Sequence, residues 1–415
     1  MHVVIYEQVM KYIHSCAAGG SAKGGSLLGA TLDDGDVVRI TGPSGATDEG
    51  NVVGRWELLP PDCAGPQCLA PELRPNGLLL TLSADLQCVW AGVHSEGRYI
   101  PGSYDVVRLH ADFASRLDGL FDTAYLADRV VTVIGLGTGG AVVATELAKN
   151  GVGHFRLVDF DRLETHNIAR HVCGLKDIGR LKTRALADLL YDKHPDVHVE
   201  VHEFNILEDQ DRLASVIEGS DLVVAATDSE ASKRLINQVC WPRGIPVVYG
   251  AAYDRAFGGD VLRVIPHETP CYECFYKQIT ELFDTAPKKT IDYSSADPTQ
   301  VVAEPGLGID VAFIALILTK MALLTLLRLT QSTLEDLPTN YIMWGNRRAW
   351  VFEHPLQTLF IDIPVDPLCP VCHREAYLAQ TLGMGEEEAR SEAKRVLENL
   401  NLLDSTVPTD LTPIG

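Results

Sequence analysis

The chain is poor in positive charge, in cysteine and in long apolar runs. Its 415 residues carry 35 Lys and Arg against 56 Asp and Glu, a formal net charge of −21 at pH 7. That deficit speaks against nucleic acid or an anionic membrane as the principal partner, since both are held by basic surfaces. An acidic body suits a basic protein partner, although acidity is also common in soluble cytosolic proteins. Residues 1–7, Met-His-Val-Val-Ile-Tyr-Glu, show neither the basic stretch nor the apolar core of a signal peptide. Ten cysteines are too few for a disulfide scaffold, and four of them stand in two Cys-x-x-Cys pairs. This fits a reducing, cytoplasmic location and one metal site. One apolar run, residues 311–329, approaches a membrane's thickness, but Lys320 at its centre and Arg328 near its end would be costly in hydrocarbon. A buried core helix is expected there instead.

What is present is a long chain with room for two or three domains, 46% apolar and 22% charged, in the range of soluble globular proteins. Its organising stretch is 129–182. Residues 130–134, Val-Val-Thr-Val-Ile, read as a buried strand. Gly135-Leu136-Gly137-Thr138-Gly139-Gly140 follows, then an apolar helical pattern over 141–149 with Asn150-Gly151 as its stop. Residues 155–158 form the next strand, ending at Asp159-Phe160-Asp161. Gly135, Gly137 and Gly140 let backbone approach phosphate oxygens, and a helix N-terminus offers them free N–H groups. Asp159 stands about 20 residues past the turn, where a ribose hydroxyl needs an acceptor.

The residues that follow favour ATP cleavage over hydride transfer. Asp161, Asn167, Arg170 and Lys182 crowd the sequence beside the glycine turn, and Arg and Lys can hold a triphosphate while acids hold its Mg²⁺. Residues 221–225 make another buried strand that runs into Ala226-Thr227-Asp228-Ser229. In a doubly wound sheet the carboxyl ends of the strands converge on one crevice, so Asp228 can meet Asp161. An ion-pair cluster at a sheet edge is the plain alternative for these charges.

Together, Gly135-x-Gly137-x-x-Gly140, Asp159-x-Asp161, Asn167-x-x-Arg170, Ile178-Gly179-x-x-Lys182 and Ala226-Thr227-Asp228-Ser229 resemble the ThiF/MoeB family, which includes the ubiquitin-activating enzymes. The resemblance covers about residues 125–375. It implies an α/β, doubly wound Rossmann-like adenylation domain at 119–375. It also implies ATP and Mg²⁺ as cofactors, with Asp228 on the metal, Arg170 and Lys182 on the phosphates, Asn167 orienting them and Asp159 on the ribose. Relatives commonly lend an Arg ahead of the first strand to the neighbouring subunit's ATP. Arg116 is the candidate in a homodimer; a surface salt bridge is the other reading. Arg234 and Asn237 match positions near the nucleotide, or are ordinary polar helix residues.

Residues 1–118 are expected to form a smaller α/β domain, with a helix over 6–17, strands over 25–30, 36–40, 78–82 and 88–93, and a Pro-, Gly- and Cys-rich insertion over 59–77. Gly24-Gly25-x-Leu27-Leu28-Gly29, His94-Ser95-Glu96 and Pro101-x-Ser103-x-Asp105 resemble a degenerate JAMM/MPN-type zinc isopeptidase. Lys23 stands where that family places its catalytic Glu, and Glu96 replaces the second His ligand. A zinc peptidase needs a carboxylate base for its metal-bound water, so an inactive domain is expected. A residual site from His94, Glu96 and Asp105 is the less favoured alternative.

Cys271-x-x-Cys274 and Cys369-x-x-Cys372 form a tetrathiolate site for Zn²⁺ if the fold joins them. Residues 283–304 read as an exposed crossing loop, where relatives place a thioester cysteine. None occurs between Cys274 and Cys369. Cys173 is a weak substitute, more in keeping with a small buried residue. Residues 115–128 read as a helical connector, Tyr341, Trp344, Trp350 and Phe352 as core, and 376–415 as a charged helix and tail.

The function expected from these features is adenylation of the C-terminal carboxylate of a ubiquitin-like protein. The expected pathway is a bacterial, defensive one, with a conjugating enzyme downstream. Adenylation of a sulfur carrier or peptide, and a non-catalytic scaffold, are the rival readings.

Overall fold

The computed structural model describes residues 1–19, 22–43, 51–61, 63, 65–69, 77–83, 89–283 and 305–399. It divides into two compact units, Met1–Arg116 and Leu117–Gly415.

The first unit is one eight-stranded sheet with a helix laid on it. Its elements are β1 (His2–Tyr6), α1 (Glu7–Gly19), β2 (Gly24–Leu32), β3 (Val37–Pro43), β4 (Asn51–Leu59), β5 (Leu78–Ser83), β6 (Val89–Ser95), β7 (Arg98–Pro101), β8 (Ser103–Val107) and the short α2 (Leu109–Ala114). The strand order is β7-β6-β5-β4-β2-β3-β1-β8. Helix α1 buries Val9, Met10, Ile13 and Cys16, at helical spacing, in a core with Ile5, Leu27, Ile40 and Trp56. Strand β4 was not foreseen, because Gly54, Arg55 and Glu57 interrupt its alternation. Cys63 and Cys68 form a disulfide with Cα atoms 6.3 Å apart, a local bridge that the sparse cysteines did not suggest. The residual metal set is not assembled. His94 lies on β6 and Asp105 on β8, and among the described residues no metal-capable group includes them or Glu96. Asp105 instead faces His2, Nε2 to Oδ2 3.3 Å.

In the second unit α3 (Thr123–Ala127) precedes β9 (Val130–Ile134), α4 (Thr138–Lys149) and β10 (His154–Val158). Then come α5 (Lys182–Lys193), β11 (His198–His202), α6 (Gln210–Ile217), β12 (Leu222–Ala225), α7 (Glu230–Cys240), β13 (Val247–Ala252) and β14 (Gly258–Val264). The last elements are α8 (Tyr272–Phe283), α9 (Gly308–Leu327), β15 (Tyr341–Gly345), β16 (Gln357–Ile361), α10 (Arg374–Thr381) and α11 (Glu386–Asn399). The expected connector over 115–128 is not one helix: Gly119, in the left-handed region at φ +83°, lies between α2 and α3.

The sheet runs β11-β10-β9-β12-β13-β14-β15-β16, parallel through β13 and antiparallel beyond. Strand side chains alternate between two cores, as the period of two requires. Val223 and Ala225 pack with α6, α7 and α8, while Leu222 and Val224 pack with α4, α5 and α9. Helices thus cover both faces, and the central strands β9 and β12 are buried except at Val130, which is half-buried. Helix α9 is long and apolar enough to cross a membrane by length and composition. Ile314, Leu318, Met321 and Ala322 of α9 lie in the second core, as a core helix requires. The sequence order of the strands reverses between β9 and β12, which is where such sheets open a ligand crevice. The 283–304 loop (beyond Phe283) and the 400–415 tail lie outside the described residues.

Candidate functional site

The glycine turn joins β9 to α4. Gly135 has φ +86°, and a Cβ there would lie 2.7 Å from the carbonyl oxygen of Ala226. Only glycine meets both conditions without strain. Gly137 is the N-cap of α4, and a Cβ on Gly140 would collide with the Gly135 carbonyl. Asp159, just past β10, fastens this turn: its Oδ2 accepts the Leu136 N–H at 2.6 Å and its Oδ1 accepts the Asp161 N–H at 2.8 Å. Burial pushes the Asp159 carboxyl above its usual range, while Lys182 and the two amides pull it back.

These groups open on a cavity of about 820 Å³, lined by Gly135, Gly137, Asp159, Asp161, Lys182 and Asp228, among others. The volume is in the range of small-molecule sites. Lys182 is buried, and its Nζ donates to Asp161 Oδ2 at 2.8 Å. Asp228 has no hydrogen bond or ion pair with the described residues. A carboxylate without a protein partner at a cavity wall is a hard oxygen donor open to a cation.

The other expected residues lie elsewhere. Gly140 buttresses the turn from beneath. Asn167 and Arg170 are not among the lining residues. The Asn167 side chain joins a local turn through its Oδ1, which accepts the Glu164 N–H at 2.9 Å. Arg170 packs its stem near Gly308 at the start of α9. Arg116 is exposed at the end of the first unit, with no ion-pair partner among the described residues. Arg234 is held by Glu273 (2.6 and 2.9 Å) and Asn237 accepts the Tyr272 N–H at 3.0 Å, so both serve the packing of α7 on α8. Cys173 is buried, and its thiol is pushed up to about 11, mainly by burial and then by Asp177.

Sequence reasoning missed a polar compartment of the same cavity. Glu230, Lys233, Asp260, Tyr249, Tyr253 and Tyr272 line it. Lys233 is buried and lies 3.4 Å from Glu230. Asp260 Oδ2 accepts from Tyr253 and Tyr341 hydroxyls at 3.0 and 3.1 Å. Burial raises the Asp260 carboxyl, offset by Lys233 and these donors. The hydroxyls of Thr227 and Tyr249 are buried without a protein partner, and both residues line the cavity. The one available signal was Asp260 itself, an acid in a strand, β14, whose only other charged residue is Arg263. Trp350 also lines the cavity, whereas Tyr341 and Phe352 are core as expected.

A second centre lies among α8 and the chain after β16. The Sγ atoms of Cys271, Cys274, Cys369 and Cys372 all lie within 4.8 Å of one another. The separations are 3.5 Å for Cys271–Cys369, 3.4 Å for Cys274–Cys372 and 3.9 Å for Cys271–Cys274. Four thiolates around Zn²⁺ at bond lengths near 2.3 Å would be about 3.8 Å apart, so this set fits a tetrahedral metal.

The ThiF family model matches residues 116–354, more than half of the chain. The chain belongs to the ThiF family. Its ThiF region is 38% identical over 157 residues to the SAMP-activating enzyme E1 of Haloferax volcanii, covering 38% of this chain and 56% of that protein. It is 34% identical over 152 residues to the adenylyltransferase and sulfurtransferase MOCS3 of Caenorhabditis briggsae, covering 36% and 37%. A crystal structure of E. coli MccB with MccA-N7isoASN aligns over 60% of this chain and 69% of that one, with 17% identity and a TM-score of 0.47. The matches thus span between about a third and just over half of these curated relatives' own lengths.

Proposed function

We propose that this protein is an ATP-dependent adenylyltransferase that activates the C-terminal carboxylate of a ubiquitin-like protein. The observation that carries the reading is the gathering of the glycine turn, Asp159, Asp161, Lys182 and Asp228 around one cavity at the switch point of a ThiF-family sheet. The carrier's terminal carboxylate attacks the α-phosphorus of ATP, an acyl–adenylate bond forms, and pyrophosphate leaves with the electron pair of the broken P–O bond. Lys182 and the N–H groups at the start of α4 neutralise phosphate charge, which is the main source of rate in such transfers. Asp228, with Asp161 in the same cavity, would hold Mg²⁺, which when bound shields the phosphate oxygens. The polar compartment at Lys233, Tyr249 and Asp260 leaves room for the carrier's tail beside the nucleotide.

The four-cysteine cluster would hold Zn²⁺ as a cross-link between α8 and the segment that holds Cys369 and Cys372. Its free thiols are the support for a reducing, cytoplasmic compartment, and the Cys63–Cys68 disulfide of the first unit is the observation that stands against it. We read the first unit as a degenerate JAMM/MPN-like domain without catalysis, since Lys23 stands at the base position and no metal group forms around His94 among the described residues. A homodimer with Arg116 serving a neighbouring site, a downstream conjugating enzyme and a bacterial defence pathway are further parts of this proposal, resting on family resemblance.

The MOCS3 relative keeps the sulfur-carrier reading in play. Pyrophosphate exchange separates the readings: ATP–pyrophosphate exchange that depends on a ubiquitin-like carrier supports the first, and exchange only with a sulfur carrier supports the second. ATP binding with silence from every carrier indicates a scaffold.

A further inference from the structure

We propose that His171 is a positioning residue of the nucleotide site, holding the glycine turn in shape through its neutral, Nε2-protonated tautomer. The inference rests on nucleotide binding at that turn. His171 is buried, and both ring nitrogens are engaged. The Cys173 N–H lies 3.1 Å from Nδ1, and a backbone N–H can only donate, so Nδ1 is the acceptor. The proton therefore sits on Nε2, which donates to the Leu136 carbonyl at 2.9 Å. Leu136 is the residue between Gly135 and Gly137, and its N–H is already held by Asp159 at 2.6 Å. One residue of the phosphate turn is thus gripped at both its N–H and its C=O, by side chains from two different segments. Leu136 itself is fully buried, so water cannot replace a lost partner easily.

The grip has a state in which it fails. In an imidazolium, Nδ1 carries a proton and faces the Cys173 N–H, donor against donor. The ring must then turn, and the Leu136 carbonyl loses its donor. Burial lowers the His171 pKa; Lys182 adds to this, while Asp159, Asp177 and the hydrogen bond to Leu136 oppose it. The depressed value sets the sign. The clamp is complete above about pH 6.5, the usual histidine value, and is lost as pH falls from there through the folded-state value.

The test uses the full chain. ATP with excess Mg²⁺ is titrated calorimetrically into the wild type, His171→Gln and His171→Leu between pH 8 and pH 5, and selectively ¹⁵N-labelled histidine is observed by NMR. The proposal expects a ring with bare Nδ1 and protonated Nε2 at pH 7.5. His171→Leu, which can make neither bond, loses about five- to tenfold in ATP affinity at pH 8. His171→Gln, whose amide can offer an N–H and an oxygen, recovers most of that affinity. The glutamine variant also lacks the wild type's extra loss at acid pH, which separates His171 from the protonation of ATP itself. A ring protonated on Nδ1 at pH 7.5 overturns the proposal, as does wild-type affinity in the leucine variant. So does an unchanged acid loss in the glutamine variant, a readout that stands even if the leucine variant does not fold. A wild type that binds no ATP at any pH overturns the functional reading and this inference with it.

Discussion

Replacing Lys182 by Met separates a role in chemistry from a role in the fold. Lys182 sits with 10% of its side chain exposed, while its partner Asp161 is 50% exposed. Breaking a fully buried pair by deleting one member costs about 3–5 kcal/mol because the survivor is stranded without water. Asp161 is not stranded; half its surface is wet, so the pair behaves more like an exposed one, worth about 1 kcal/mol. Methionine keeps the apolar stem in place. The melting temperature should therefore fall by no more than roughly 4 °C. Loss of one charge from the phosphates, by contrast, should lower carrier-dependent pyrophosphate exchange by about 10²–10³-fold. Thermal unfolding and exchange are measured on the same preparation. Exchange within threefold of wild type would refute the placing of Lys182 on phosphate. A large fall in melting temperature, with activity tracking only the folded fraction, would make its role structural.

Three further outcomes are expected. Gly140→Ala places a methyl against the Gly135 carbonyl, so the turn or α4 must shift; stability should fall by about 2 kcal/mol and ATP binding should weaken with it, read by chemical denaturation and calorimetry. Cys369→Ser should abolish a one-to-one zinc stoichiometry, measured by elemental analysis, and lower the melting temperature more than chelation-resistant surface variants do; retention of full zinc would show that the four thiols are not its ligands. Cys173, with its thiol near 11, is only about 10⁻⁴ thiolate at pH 7, so it should resist iodoacetamide in the native protein, and Cys173→Ala should keep carrier-dependent exchange. Rapid alkylation at Cys173 would reopen it as a nucleophile.

The doubly wound half of the sheet was legible because β9 to β12 are short strands with valine in each, and a helix follows every one of them. Asp228 and Asp159 could be placed because an acid directly after a buried strand has one destination in such a sheet. Lys233 and Tyr249 could not, since a lysine on a helix and a tyrosine in a strand look alike whether they face a cavity or a neighbour. Asn167 shows what spacing leaves out: its place in the sequence suggested phosphate, and in the fold its Oδ1 also accepts the Glu164 N–H of its own 3₁₀ turn. In the first unit, β8 is almost wholly exposed at the sheet edge and carries no apolar alternation to read. The histidine clamp was invisible because the tautomer of His171 depends on the Cys173 amide and the Leu136 carbonyl, whose meeting is a property of the folded loop.

The most direct measurement follows oxygen. A carrier protein with ¹⁸O in its C-terminal carboxylate is incubated with the enzyme, ATP and Mg²⁺, the acyl-adenylate is allowed to hydrolyse, and the nucleotide product is examined by mass spectrometry. Attack of the carboxylate on the α-phosphorus predicts pyrophosphate and AMP carrying one ¹⁸O. Formation of ADP and orthophosphate, or of AMP without the label, would contradict it.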